Sequence, residues 1–134
     1  MRTHAAAYGI NPDRIGIMGF SAGGTVAGSA LFNHTEASKP NFAAPIYLQY
    51  KWVPQSGVPV DAPAIFILAA TDDQLGLASH SVALYNDWIN AGKSAELHLY
   101  ATGGHGFGML VQNLPSDHWI DLYIAWLGLQ GLLN

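Results

Sequence analysis

The sequence predicts one α/β domain, residues 1–134, with a mainly parallel sheet of about four strands flanked by helices. Two observations predict this class. Short apolar runs alternate along the chain with longer runs typical of helices, and the apolar runs are hydrophobic on both faces, as strands buried between two helical layers are. A chain of 134 residues is long enough to bury a core without disulfide bonds.

The first half of the chain contains two predicted helices and two predicted strands. Residues 2–8 favour a short helix, and a turn signal separates it from the first apolar run, residues 14–20. Residues 22–32 are rich in small side chains and predict a helix. Residues 45–50 are rich in β-forming residues and predict the second strand.

The second half repeats this alternation. Residues 51–63 carry several prolines and predict a loop, whereas residues 64–70 are apolar on both faces and predict the third strand. An amphipathic helix follows at residues 79–91, and residues 95–100 alternate as a fourth strand. Ser116 is the expected cap of a last helix. That helix carries a set of apolar and aromatic side chains: Trp119, Ile120, Tyr123, Ile124 and Leu127.

The composition excludes several classes of protein. The chain has no cysteine, which excludes disulfides, Cys-based metal sites and a thiol nucleophile. Five basic residues are scattered along a chain of net charge −4, which argues against nucleic-acid binding. No apolar run reaches membrane-spanning length, and the first residues lack the apolar core of a signal peptide. We therefore expect no membrane span, and a cytoplasmic location by default.

A Gly-x-Ser-x-Gly motif, residues 19–23, follows the first predicted strand. This pattern is typical of a nucleophile elbow, a strained strand-to-helix turn that projects the hydroxyl of its serine, here Ser21. The next N–H, that of Ala22, then points to the place where a tetrahedral oxyanion would form. Composition alone would produce the pattern in about one such chain in ten. However, a strand before it and a helix after it are the context that the elbow requires.

Two adjacent aspartates, Asp72 and Asp73, follow the third predicted strand. Each is explained equally well as a helix cap or solvated turn residue, because aspartate favours turns, or as the acidic member of a catalytic triad. A metal site would need more ligands than this region offers, so we expect no metal ion and no cofactor.

One of the six histidines, His105, lies among four glycines in a predicted loop, residues 101–113. Core packing does not explain a histidine in such a setting, whereas a mobile loop could present the ring to a substrate. The other five have simpler explanations. His98 is expected on a face of the sheet. The four beside helices are expected to be solvated: His4, His34, His80 and His118.

The order of the polar residues along the chain is itself informative. Ser21, an aspartate and His105 each follow a predicted strand. The carboxyl ends of parallel strands meet at one edge of the sheet, where ligands bind. A serine, an acid and a histidine in this order match the triad of the α/β-hydrolases, and their joint occurrence is more specific than any one motif.

Five stretches carry a resemblance to a known family: residues 8–16 leading into 19–24, 69–75, 95–100, 104–108 and 119–127. In them the chain resembles the α/β-hydrolase superfamily, and most of all its group of carboxylesterases, acetyl-xylan esterases and BD-FAE-like feruloyl esterases. The resemblance implies that Ser21 is the nucleophile and His105 the general base. It also implies that Asp73, rather than Asp72, orients His105.

The resemblance covers only the C-terminal half of the family's domain. The family's His-Gly-Gly type loop, which supplies a second oxyanion donor, has no counterpart before Arg2, so only the N–H of Ala22 is identified. The family's nucleophile strand is interior, so residues 14–20 are expected at a sheet edge here. An apolar edge strand recruits another chain, and we expect a homodimer or larger assembly through this edge.

These observations predict a serine carboxylic-ester hydrolase that acts on short-chain acyl esters through an acyl-enzyme. The loop at residues 51–63 is too short to form a large lid over the site, so we expect a shallow site for a small-molecule ester. Phe20, Trp52 and Phe107 are candidates to line it, although core packing explains each aromatic residue at least as well. Two alternatives stay open. One is a non-catalytic half-domain that needs a partner to complete its sheet and oxyanion hole; the other is a peptidase or dienelactone-type hydrolase, because a triad does not distinguish these reactions.

Overall fold

The computed structural model describes residues 1–54 and 56–133; Gln55, in the predicted loop, and Asn134 lie outside the described part. Its sheet has four parallel strands in the order β1-β2-β3-β4. The strands are Gly16–Phe20 (β1), Phe42–Ile46 (β2), Ala64–Ala70 (β3) and Ala95–Tyr100 (β4). Because all four run the same way, their carboxyl ends meet along one edge of the domain.

Three helices cover the two faces of the sheet: Ala22–Phe32 (α1), Leu77–Asn90 (α2) and Trp119–Leu129 (α3). α1 and α2 share one apolar cluster with Ile65 and Ile67 of β3. α3 shares a second cluster with Phe66 and Leu68, which point the opposite way along the same strand. Six of the seven residues of β3 are buried, as expected of a strand between two helical layers. The predicted α/β class is confirmed.

β1 lies at one edge of the sheet, as the resemblance to the α/β-hydrolases implied. Its register against β2 runs from Gly16 opposite Phe42 to Phe20 opposite Ile46. Its other side has no strand partner among the described residues. Within the same part of the chain, none of the helices combines the length and apolar character that crossing a membrane requires.

The second strand lies earlier than predicted. Residues 45–50 were expected to be extended, but β2 spans Phe42–Ile46 and ends where Tyr47 adopts φ 35°, outside the extended region. Tyr47, Leu48 and Tyr50 are each at most 3% exposed. The apolar run therefore indicated that these residues are buried. It did not indicate their backbone conformation, because a strand and a buried turn can both be apolar.

The helix ends also differ from the prediction. Residues 2–8 form two 3₁₀ turns and not one helix, and α2 begins at Leu77, two residues before the predicted start. Ser116 is buried inside a 3₁₀ turn, Pro115–His118, and does not cap α3. The carboxylate of Asp117 accepts the N–H groups that precede this turn: those of Gln112, Asn113 and Leu114.

Candidate active site

Ser21 occupies a strained turn between β1 and α1. Its backbone has φ 55° and ψ −117°, a region that costs a non-glycine residue of the order of 1–3 kcal/mol. The N–H of Ser21 donates to the carbonyl of Ile46 at 3.0 Å, which ties the turn to the end of β2. The conformation and its position between strand and helix are those of a nucleophile elbow.

Gly19 permits the close approach of strand and helix at this turn. A Cβ added there would lie 2.0 Å from the carbonyl oxygen of Gly23, far inside van der Waals contact. A Cβ at Gly23, by contrast, would meet no atom within 4 Å. The first glycine of the motif is therefore required by the backbone clearance of the elbow, whereas the last is not.

The three polar residues predicted from the sequence lie together at the carboxyl edge of the sheet. Ser21 Oγ is 2.8 Å from His105 Nε2, and His105 Nδ1 is 2.9 Å from Asp73 Oδ2. The side chain of Asp73 is fully buried, whereas that of His105 is 16% exposed. When His105 is neutral with its proton on Nδ1, Nδ1–H donates a hydrogen bond to Asp73, and Nε2 accepts a hydrogen bond from the Ser21 hydroxyl.

The two aspartates after β3 have different contacts. Asp73 Oδ1 accepts the N–H of Leu75 at 2.7 Å, while Oδ2 faces His105. Asp72 is exposed, and its Oδ1 accepts the N–H of Gly104 at 2.8 Å. Of the two aspartates, it is Asp73 that contacts the imidazole of His105. Asp72 instead binds the backbone of the loop that carries His105.

A small cavity opens beside Ser21. It has a volume of about 250 Å³ and is lined by seven residues: Ser21, Ala22, Thr25, Gln49, Trp52, Leu75 and Leu77. Ala22 is the first residue of α1, so its N–H has no acceptor within the helix and lies at the positive end of the helix dipole. The predicted oxyanion donor and the cavity therefore adjoin each other.

The three candidate aromatic residues are placed differently. Trp52 lines the cavity and is 74% exposed. Phe20 is 38% exposed but packs against Tyr47 and Trp119 and does not line the cavity. Phe107 is 2% exposed and belongs to the apolar cluster under α3. Core packing, the alternative that the sequence left open, therefore describes Phe107, and a substrate contact for this residue stays a prediction.

Two residues of the site were missed by the sequence analysis. The ring of Tyr47 meets that of His105 edge-on, with centroids 5.1 Å apart, and burial raises the pKa of its hydroxyl. Gln74 Oε1 accepts the N–H of His105 at 3.1 Å. The position of Gln74 directly after the two aspartates was a usable signal. Tyr47 gave none, because it was assigned to the interior of the second strand.

Two of the four histidines expected to be solvated are not. His80 is 8% exposed, and its Nδ1 accepts the N–H of Lys51 at 3.4 Å. Burial, with a smaller effect of the Lys51 charge, lowers the pKa of His80. The side chain of His34 is 8% exposed and faces Asp61 at 3.2 Å. Helical spacing alone did not show that chain segments outside the helices cover these rings. The two exposed ones are as expected: His4 and His118.

His98 lies in β4, as expected, with its ring centroid 5.1 Å from that of Phe66. Its Nε2 is 2.7 Å from Glu96 Oε1. Within residues 1–54 and 56–133, no group of three or more histidine, aspartate or glutamate residues is arranged to hold a metal ion.

The parallel sheet with helices on both faces is the fold of the α/β-hydrolases. Comparison with known proteins identifies the family: residues 2–117 match the model of the dienelactone hydrolase family, and the chain belongs to it. An acetylxylan esterase from Xylanibacter ruminicola is 28% identical over an alignment that covers 81% of this chain and 29% of that protein.

Solved structures show the same fold. An acetyl ester-xyloside bifunctional hydrolase from Caldicellulosiruptor lactoaceticus superimposes with a TM-score of 0.83 at 20% identity, over 99% of this chain and 62% of that one. MGS-M1 is an α/β-hydrolase enzyme from a Medee basin deep-sea metagenome library. It has a TM-score of 0.77 at 27% identity, over 94% of this chain and 58% of that one. The chain thus spans about three fifths of these structures and less than a third of the acetylxylan esterase.

Proposed function

We propose that the chain hydrolyses carboxylic esters with short acyl groups, with Ser21 as nucleophile, His105 as general base and Asp73 as the residue that orients His105. The observation that supports this most is the continuous line of contacts from Ser21 Oγ through both nitrogens of His105 to the buried carboxylate of Asp73. Membership of the dienelactone hydrolase family and the similarity to an acetylxylan esterase support the same reaction class.

The reaction proceeds in two acyl-transfer steps. His105 Nε2 takes the Ser21 hydroxyl proton as Oγ attacks the ester carbonyl, and the Asp73 carboxylate stabilises the imidazolium. The Ala22 N–H donates to the oxyanion. Collapse releases the alcohol, which takes the proton from His105, and leaves an ester between Ser21 and the acyl group. Water then attacks this ester with His105 again as base, which releases the acid and regenerates the serine.

The cavity supports a short acyl group. Its volume of about 250 Å³ is below the roughly 300–1,000 Å³ typical of pockets for drug-sized ligands. Leu75 and Leu77 supply apolar walls, and Trp52 borders the cavity from the solvent side. With Ala22 as the assigned oxyanion donor, we expect turnover slower by about a hundred- to a thousandfold than with two donors.

The test is ester hydrolysis by the purified chain with Ser21→Ala beside it. We expect turnover of p-nitrophenyl acetate, much weaker turnover of the decanoate, and covalent labelling of Ser21 by a fluorophosphonate. Ser21→Ala should abolish both turnover and labelling. Ser29→Ala, in the same helix and outside the cavity, is the control and should match the wild type. Full activity of Ser21→Ala would refute the mechanism. A dienelactone and a p-nitroanilide in the same assay distinguish ester, lactone and amide hydrolysis.

A second candidate is a non-catalytic half-domain that becomes complete only with a partner. It is favoured by the side of β1 that has no strand partner in the described part of the chain, and by the span of about three fifths of the similar solved structures. Absence of both turnover and labelling in the isolated chain supports this candidate, whereas labelling at Ser21 with turnover supports the enzyme.

We also propose that the free edge of β1 binds a second copy of the chain, with the two β1 strands antiparallel about a two-fold axis. Among the described residues no strand pairs with the outer side of β1 over its five residues, and one of them, Phe20, is 38% exposed. Such an edge is a template for strand pairing. Light scattering should give the mass of a dimer or larger assembly. A monodisperse monomer that is active at nanomolar concentration would contradict the proposal.

A further inference from the structure

Three consecutive side chains in the turn after β3 bind two consecutive residues of the histidine loop. Asp72 Oδ1 accepts the N–H of Gly104 at 2.8 Å, and Gln74 Oε1 accepts the N–H of His105 at 3.1 Å. Asp73 Oδ2, between them in sequence, is 2.9 Å from Nδ1 of the same histidine. The outer two contacts hold the backbone of Gly104 and of His105, and the middle one holds the His105 ring.

The histidine loop is anchored at Phe107, which packs in the core, while the backbone at His105 itself is bound by the side chains that follow β3. Residues 101–114 contain neither helix nor strand. The residues on both sides of His105 are glycines with positive φ, 69° at Gly104 and 79° at Gly106. Glycine has the largest conformational freedom to lose when a loop is ordered. A ring presented from such a backbone keeps one position only where other groups bind that backbone.

From this geometry we propose that Asp72 and Gln74 are positioning residues, which hold the backbone of Gly104 and His105 so that the imidazole ring meets Ser21 and Asp73 together. The proposal deepens the proposed function and rests on it for its catalytic consequence. Both side chains are exposed, so they contribute little to the core. Neither lines the cavity beside Ser21, so their effect on the reaction passes through His105 and not through substrate contact.

A structural explanation makes a different prediction. If Asp72 and Gln74 merely complete the turn before α2, removing either acceptor lowers stability and leaves the reaction unchanged. If they position His105, removing an acceptor lowers kcat at unchanged KM, and a replacement that keeps an acceptor oxygen restores it. The comparison of kcat with KM therefore separates the two explanations.

The experiment uses two pairs of variants in the full chain. Asp72→Ala and Gln74→Met remove the acceptor, whereas Asp72→Asn and Gln74→Glu keep an acceptor oxygen at a similar reach. With p-nitrophenyl acetate, we expect each acceptor-free variant to lose about three- to tenfold in kcat, the value of one hydrogen bond, with KM within about twofold. The conservative variants should stay within about twofold of the wild-type kcat. An unchanged kcat in the double variant, Asp72→Ala with Gln74→Met, would overturn the proposal.

A second measurement does not depend on turnover. Amide hydrogen exchange followed by NMR should show the N–H of Gly104 and that of His105 protected in the wild type. In the acceptor-free double variant both should exchange faster, and the low-field resonance of His105 Nδ1–H should broaden. Unchanged exchange and an unchanged resonance would overturn the proposal even in an inactive protein. A third outcome is a wild type that is inactive and unlabelled, but in which the exchange of these N–H groups still depends on Asp72 and Gln74. That outcome would overturn the proposed function and leave the positioning proposal intact.

Discussion

Ser21 and His105 have side chains 2.8 Å apart, yet the protein holds them in place in different ways. Ser21 is held by main chain: β1 ends before it, α1 begins after it, and its N–H donates to Ile46. His105 lies between two glycines in a loop without helix or strand. The side chains that follow β3 hold it there.

This difference shows what each half of the site is sensitive to. A position set by the main chain depends on backbone clearance, so a single added methyl group disrupts it while nearby surface substitutions do not. A position set by side chains depends on the acceptors and rings around it, so it responds to side-chain replacement and, where an acceptor titrates, to pH. The following predictions test this contrast from the largest expected effect to the smallest.

The largest effect is expected for Gly19→Ala. The new Cβ would lie 2.0 Å from the Gly23 carbonyl oxygen. To relieve this clash, the backbone of Gly19 or of Gly23 must shift, and either shift moves Ser21, which lies between them. We expect a loss of about 3 kcal/mol in the free energy of unfolding and a fall in kcat of at least about a hundredfold. Chemical denaturation and ester hydrolysis measure the two.

The matched control is Gly23→Ala, four residues further along the same motif. A Cβ there meets nothing within 4 Å, and alanine favours the helix over glycine by about 0.5–1 kcal/mol. We expect this variant to be as stable as the wild type or slightly more so, with activity retained. Equal behaviour of the two variants would contradict the clearance argument.

An intermediate effect is expected at Tyr47, whose ring supports the histidine side of the site. It is 3% exposed and lies 5.1 Å from the rings of both His105 and Phe107. Tyr47→Leu removes this ring and should cost about 1–3 kcal/mol of stability. It should also lower kcat, because His105 loses lateral contact. Tyr47→Phe keeps the ring and should cost only about 1 kcal/mol. Thermal denaturation and kcat test this ranking, and a larger loss in Tyr47→Phe would reverse it.

The smallest effect concerns the 3₁₀ turn Tyr50–Trp52, which borders the cavity and is also held by a side chain. The N–H of Lys51 donates to His80 Nδ1, which accepts only when that nitrogen carries no proton. Burial lowers the pKa of His80, so the unfolded chain binds this proton more readily than the folded one. The stability due to neutral His80 is therefore present above the ordinary imidazole pKa and is lost as the pH falls below it.

Urea denaturation at several pH values between about 7.5 and 5.5, across the ordinary imidazole pKa, checks this prediction. The unfolding free energy of the wild type should decrease towards low pH. His80→Asn keeps an acceptor that does not titrate and should show a shallower decrease. His118→Asn is the control, because that side chain is 81% exposed. A wild-type slope in His80→Asn would show that His80 does not contribute.

Much of the fold and of the candidate site followed from local patterns. β3 was predicted with its observed bounds, Ala64–Ala70, because a run that is apolar on both faces fits a strand between two helical layers. Ser21, an aspartate and His105 were singled out because polar residues that follow parallel strands meet at one edge, and the resemblance to the α/β-hydrolases then selected Asp73. The predictions that failed did so where one pattern has two explanations. Buried residues 47–50 look the same as strand or turn, and His80 looks the same whether or not another segment covers it.

The sequence by itself determined the α/β class, and it singled out the residues from which we propose that a hydrolytic site is built. These depend on periodicity, on turn chemistry and on a motif of adjacent residues, all of which are local. Only the tertiary structure decided that Asp72 binds the histidine loop, that Tyr47 supports the ring of His105 and that Phe107 lies in the core. The physical reason is that each of these depends on a contact between residues far apart in the chain. The free energy of such a contact depends on the packing of the whole domain. The residues adjacent in sequence therefore do not indicate whether the contact forms.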